Sequence, residues 1–146
     1  RAAFDALDDR TKAMARGLVC RHSLMFSRGA IGFDAMTDDE RDSFRPVRQP
    51  LVRRLPRSGR ETLFLSSHAG EIEGWTVPEA RMLLRDLTEH ATQPRFVYSH
   101  AWRPGDLVMW DNRATMHRAR PFDPAEVRDM RRTTLGGTAP LLPQTH

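Results

Sequence analysis

One histidine and two arginines near the end of the chain have the types and spacing to do chemistry. His117 closes the run Trp110-Asp111-Asn112-Arg113-Ala114-Thr115-Met116-His117, and Arg128 and Arg132 follow it. A neutral imidazole is a common metal ligand. A guanidinium can grip a carboxylate with two parallel, charge-assisted hydrogen bonds. Alternate side chains of a strand share a face. If both runs are extended, Arg113, Thr115 and His117 share one face, and Arg128, Met130, Arg132 and Thr134 share another. Paired in one sheet, these strands would bring a candidate metal ligand and two anion-binding cations to one cavity. One arginine would take a small carboxylate and the other a second anion. Each residue also has an ordinary reading. A lone strand histidine is more often a hydrogen-bonded core or rim residue, and strand arginines are usually solvated or salt-bridged. A single histidine does not hold a catalytic metal alone, and the chain offers it no obvious partner.

The elements that would position these residues are short strands. Residues 95–100, 106–110, 115–119 and 130–135 read as strands, with the turn Trp102-Arg103-Pro104-Gly105 launching the second. Their spacing suits an antiparallel sheet or barrel. Upstream, residues 51–55 and 62–65 read as two strands around Pro56-Arg57-Ser58-Gly59, and residues 22–26 as another. Thr76-Val77-Pro78-Glu79 opens the clearest helix, with Thr76 as its cap and Ala80, Leu83, Leu84 and Leu87 as its buried stripe, ending near His90. Residues 2–19 read as one helix or two short ones, and Thr37-Asp38-Asp39-Glu40 as a capping box. Pro46 and Pro50 bracket a loop, and the tail 140–146 reads as loose. The expected class is mainly β with flanking helices, an α+β fold.

Bulk composition excludes several functions. At 146 residues the chain is one domain or part of one. The net charge of +4 is mostly arginine, interleaved with aspartate and glutamate. A nucleic-acid partner would want a concentrated basic face, so none is expected. No apolar run approaches the roughly 20 residues of a membrane span, and no signal-peptide pattern is visible. Cys20 is the only cysteine, so no intrachain disulfide forms, which suits a reducing, cytoplasmic setting. It follows Leu18-Val19 in a helix-like run and reads as a small buried side chain.

The run Gly105-Asp106-Leu107-Val108-Met109-Trp110-Asp111-Asn112-Arg113-Ala114-Thr115-Met116-His117-Arg118 resembles the closing motif of the taurine dioxygenase / 2,4-dichlorophenoxyacetate dioxygenase family. The likeness extends over nearly the whole chain. Gln49-Pro50-Leu51-Val52-Arg53, Ser67-His68-Ala69-Gly70, Glu89-His90-Ala91-Thr92-Gln93 and Phe96-Val97-Tyr98 resemble the phenoxyacetate-degrading branch in particular. The resemblance implies a double-stranded β-helix (jelly roll), with Fe(II) as cofactor and 2-oxoglutarate as cosubstrate. It implies that His117 is the distal iron ligand and that Arg128 holds the far carboxylate of 2-oxoglutarate. Arg132 matches the position that binds the acidic group of the substrate. The partners it implies are dioxygen and a small acidic substrate, with neither nucleic acid nor membrane; a homo-oligomer is left open. For an aryloxyalkanoate such as 2,4-dichlorophenoxyacetate, the products would be a phenol, glyoxylate, succinate and carbon dioxide. The alternatives are a sulfonate or sulfate-ester dioxygenase of the same family, and a non-catalytic jelly-roll binding module.

The sequence also departs from the family pattern. The family's iron site is two histidines and one carboxylate, the first histidine and the carboxylate coming as His-x-Asp/Glu. Here His22, His68, His90, His100 and His117 have Leu24, Gly70, Thr92, Trp102 and Ala119 two residues on, and His146 is terminal. Residues 1–146 are therefore expected to be the C-terminal fragment of one catalytic domain, downstream of that pair. Arg54-Leu55 stands where close relatives often have Thr-His, which weakens the case for an identical substrate pocket. His68 reads as either a pocket residue or an ordinary turn residue, while His90 and His100 read as structural. Asp111 and Asn112 are expected to bond the neighbouring backbone and hold the ligand segment in place.

Overall fold

The computed structural model describes residues 1–33, 37–39, 44–136 and 142. Helices α1 (Ala2–Asp5) and α2 (Asp9–Arg16) lead into β1 (Val19–His22) and α3 (Leu24–Gly29). Then come β2 (Val47–Pro50), β3 (Val52–Arg54), β4 (Glu61–Leu63), β5 (Ala69–Ile72), α4 (Val77–Ala91) and a 3-10 turn at Pro94–Phe96. The result is a mixed α/β arrangement with antiparallel sheets, in which helical residues outnumber strand residues among those described. No helix among the described residues is long and apolar enough to cross a membrane.

Local chemistry sets the helix boundaries. Asp8, in extended conformation, accepts from Thr11 N at 2.9 Å and opens α2. Glu79 reaches back to Thr76 N at 3.3 Å, closing the capping box of α4, and Pro78 sits in the first turn where no intrahelical donor is needed. Ala80, Leu84 and Leu87 are the buried stripe of α4, as their spacing predicts.

β1 is the middle strand of the sheet β2-β1-β5, and β3 and β4 form a separate hairpin. Cys20 pairs with Gln49 on one side and Ile72 on the other, and it lies fully buried in the core cluster that includes Ile72, Leu84 and Leu87. It thus lies in a strand, not in the expected helical run; its burial is as expected. Leu51, also fully buried, joins the two sheets: its N–H donates to Leu18 O at 2.9 Å and its carbonyl accepts from Phe64 N at 2.7 Å. The hairpin turns through Gly59 at φ +66°, a conformation that costs glycine little. Gly70 answers a different need. A Cβ there would lie 2.5 Å from the Phe26 ring, so α3 can approach β5 only because no side chain intervenes.

Several expectations give way. Of the strand expected at 22–26, only His22 belongs to a strand; Ser23, still extended, caps α3, its hydroxyl 3.4 Å from Phe26 N. The loop between Pro46 and Pro50 is the strand β2, an outer strand of its sheet, where a proline at the end is tolerated. The segment Ser67-His68-Ala69-Gly70, in which His68 can read as a turn residue, runs on into β5. Residues 95 and 96 belong to the 3-10 turn, and residues 97–100, 106–110, 115–119 and 130–135 form no ladder. Strand hydrogen bonds come from a neighbouring strand, and among the described residues none pairs with these segments. Leu107 is 94% exposed, Met109 87% and Leu135 86%, values incompatible with a packed sheet face. Of the capping box expected at 37–40, Asp38 and Asp39 are helical and Glu40 lies outside the described residues; of the tail 140–146 only Leu142 is described.

Candidate functional site

The motif around His117 folds on itself. Arg113 N donates to Asp111 Oδ1 at 2.9 Å, and the Arg113 guanidinium closes on the same carboxylate at 2.9–3.2 Å. That ion pair holds the Asp111 carboxyl below its ordinary range. The carbonyl of Asp111 accepts from Ala114 N and Thr115 N, each at 3.0 Å, and from the Thr115 hydroxyl at 2.9 Å. Residues 111–115 are therefore a turn. The face shared by Arg113, Thr115 and His117 in an extended strand is not formed there. Asp111 bonds the neighbouring backbone as expected, whereas Asn112 accepts instead from the Trp110 indole N–H at 2.8 Å.

His117 is exposed, its ring 4.8 Å from that of Trp110. Arg128 is exposed with its guanidinium 5.0 Å from the Phe122 ring centroid, and Arg132 is exposed. Among the described residues no hydrogen bond or ion pair joins the three, and no group of three or more His, Cys, Asp or Glu side chains could hold a metal. A two-histidine, one-carboxylate site needs three protein donors. His117 is accessible and could supply one donor, so these residues fit a share of an iron site and not the whole of one.

A second cluster lies inside the folded body. His22 and His68 line a cavity of about 240 Å³ with Leu24, Phe44, Arg45 and Val47. The Ser66 hydroxyl lies 3.1 Å from His22 Nδ1, and the Ser27 hydroxyl 2.8 Å from His68 Nδ1. His68 N donates to Ser66 Oγ at 3.1 Å, so His68 is both a turn residue and part of the cavity wall. Burial, then the nearby charges of Arg53 and His68, lowers the pKa of His22 from 6.5 to about 4. His22 is thus neutral at pH 7. Beside it, Arg53 donates to the Gln49 amide oxygen and lays its guanidinium 3.2 Å from the centroid of Phe64. The sequence carried a signal for Arg53 that went unread: it alternates with Leu51 and Leu55, both buried, so its side chain starts on the inward face.

His90 and His100 make structural contacts, as expected. His90 Nε2 lies 2.8 Å from Ala3 O and ties the end of α4 to α1. His100 Nε2 lies 2.9 Å from Asp106 Oδ2, which also caps Arg103 N at 2.9 Å.

Residues 1–134 match the family Taurine catabolism dioxygenase TauD, TfdA, and the chain belongs to that family. Within it, the alpha-ketoglutarate-dependent 2,4-dichlorophenoxyacetate dioxygenase of Burkholderia sp. (strain RASC) is 47% identical over 145 residues, covering 99% of this chain and 49% of that protein. A structure of AAD-2 in complex with Mn(II) and N-oxalylglycine is 60% identical, with a TM-score of 0.92, covering 97% of this chain and 56% of that one. A taurine dioxygenase from Burkholderia xenovorans is 31% identical, with a TM-score of 0.62, covering 77% of this chain and 36% of that one. The greater likeness to the phenoxyacetate enzyme agrees with the branch expected from the sequence. The chain spans about half the length of the curated relatives it matches.

Proposed function

We propose that these residues belong to an Fe(II)/2-oxoglutarate-dependent dioxygenase that hydroxylates a small carboxylate, of the aryloxyalkanoate class. The observation that carries this reading is the run 105–118, followed by Arg128 and Arg132, in a chain 47% identical to a 2,4-dichlorophenoxyacetate dioxygenase. The 60% identical structure that holds Mn(II) and N-oxalylglycine, an isostere of 2-oxoglutarate, supports the cofactor and cosubstrate. His117 would give its lone pair to the metal, and Arg128 would fork onto the far carboxylate of 2-oxoglutarate. Arg132 would orient the substrate's acid group. Iron, with 2-oxoglutarate and dioxygen, supplies the oxidising power. Hydroxylation beside the ether oxygen of a phenoxyacetate gives a hemiacetal that collapses to a phenol and glyoxylate, while 2-oxoglutarate ends as succinate and carbon dioxide.

On this reading residues 1–146 are the C-terminal part of one jelly-roll domain. The unpaired apolar segments after residue 96 become strands when the rest of the domain supplies their neighbours, and the remaining His and carboxylate ligands come from there too. The test is succinate release by the full-length protein over a panel of aryloxyacetates, sulfonates and sulfate esters, with and without added Fe(II). Iron-dependent turnover is expected with aryloxyacetates first. Preference for a sulfonate would move the protein to the taurine-like branch, and iron-independent silence with every acid would leave a binding module.

A further inference from the structure

Three exposed guanidiniums of the folded body have anionic partners: Arg16 with Glu61 at 2.9 Å, Arg85 with Glu89 at 2.8 Å, and Arg60 with Asp5. Arg53 is half-buried and has none among the described residues. Its one hydrogen-bond acceptor is the neutral Gln49 amide, and its Nε is buried without a partner. Its guanidinium lies against the Phe64 ring, and the ring of His22 lies 5.2 Å from the same ring. His22 Nε2 is likewise buried without a partner. Two orphaned nitrogens thus flank one aromatic ring, and one of them belongs to a permanent cation. A buried charge is costly unless it is paired and hydrogen-bonded. A guanidinium presents its Nε and Nη donors in a fork that matches a carboxylate.

We infer that Arg53 is an anion-binding residue that takes a carboxylate against the wall formed by Phe64 and His22. Acceptance by a carboxylate satisfies the orphaned Nε and neutralises the cation, neither of which the Gln49 amide can do. The carboxylate comes either from a free small acid or from an acidic side chain elsewhere in the full-length protein. The inference depends on the burial of Arg53 and not on the iron reading. A melting experiment decides it independently of succinate release.

The experiment compares full-length wild-type protein with R53M and R53K, melted in sodium acetate and in sodium chloride at equal ionic strength. If a free acid is the partner, acetate raises the wild-type Tm by about 2–4 °C over chloride, R53M loses that increment, and R53K keeps only part of it. If a protein carboxylate is the partner, R53M and, less severely, R53K melt below wild type in both salts, with no acetate-specific difference. Repeating the pair in an F64L background separates either case from simple loss of the ring contact. With a carboxylate partner the R53M loss persists in F64L; with only the ring it disappears. R53M melting at or above wild type in both salts overturns the inference, because removing an unpaired buried cation is stabilising. If R53M does not fold, R53K decides, and wild-type melting of R53K in both salts overturns it.

Discussion

Two regions of this chain obey the same sequence grammar and reach different ends. In residues 1–96, apolar residues at strand and helix spacings find partners, and Leu51, Cys20 and Ala80 are completely shielded from solvent. In residues 97–136, equally apolar runs stay open, with Val127 97% exposed and Leu107 94%. The difference lies in who supplies the neighbour. β1 has β2 and β5 within the chain, and β3 has β4 across a turn. Residues 106–110 and 130–135 have no such neighbour among the described residues. A strand pattern specifies a face to bury, and pairing decides whether it is buried.

The sharpest way to separate the two regions is to remove a side chain from each. In the full-length protein, His117→Ala should lower iron-dependent succinate release by two orders of magnitude or more (on the order of a lost metal ligand, where even outer-shell losses reach about 10–100-fold), with the melting curve little changed. Metal content and turnover measured together check this. Normal iron retention would make His117 structural.

Leu51→Ala should do the opposite, leaving the site's ligands in place while costing about 2–5 kcal/mol of stability, read from urea unfolding. A loss under about 1 kcal/mol would mean that the junction of the two sheets collapses around the gap, and the contrast in packing would weaken.

The two arginines sharpen the contrast within the open region. Arg128→Ala should raise the apparent 2-oxoglutarate constant by about 10–100-fold, the equivalent of a charge-assisted bond worth about 1.5–3 kcal/mol, with a smaller effect on the primary substrate. Arg132→Ala should weaken the acidic substrate while uncoupled 2-oxoglutarate decarboxylation stays measurable. Saturation curves for each variant against each substrate check the assignment, and equal losses on both curves would contradict it.

The smallest effect belongs to the buried histidine. The pKa of His22 falls from 6.5 to about 4 on folding, chiefly through burial. The unfolded chain therefore binds the proton more readily than the folded one. The contribution of neutral His22 to stability is complete above pH 6.5 and is lost as pH falls toward 4. Stability should decline through that window, and the decline should flatten in His22→Gln. An unchanged slope in the variant would assign the decline to other groups.

Much of the body was legible because its signals are local. The Thr76–Glu79 capping box, the apolar stripe of α4 and the turn at Gly59 each lie within a few residues. The family was legible from residues 105–118 for the same reason. What was missed depends on tertiary partners. β5 begins at Ala69-Gly70, poor strand formers by propensity, and exists because β1 lies beside it. His22 and His68 lie far apart in sequence and meet only because β1 and β5 pair. The reverse error came from residues 115–119. Their strand pattern is real, but among the described residues no neighbouring strand pairs with it, and the chain enters the segment from the turn that Asp111 closes on Thr115.

Leu51 has a consequence for how this family can change length. Its N–H serves one sheet and its carbonyl the other, so no spare residue separates β2 from β3. One residue gained or lost there would shift the register of a strand and turn its inward side chains outward. Evolution should therefore place its insertions and deletions at the hairpin tip around Gly59 or in the stretch between α3 and β2, and spare the junction at residues 50–52.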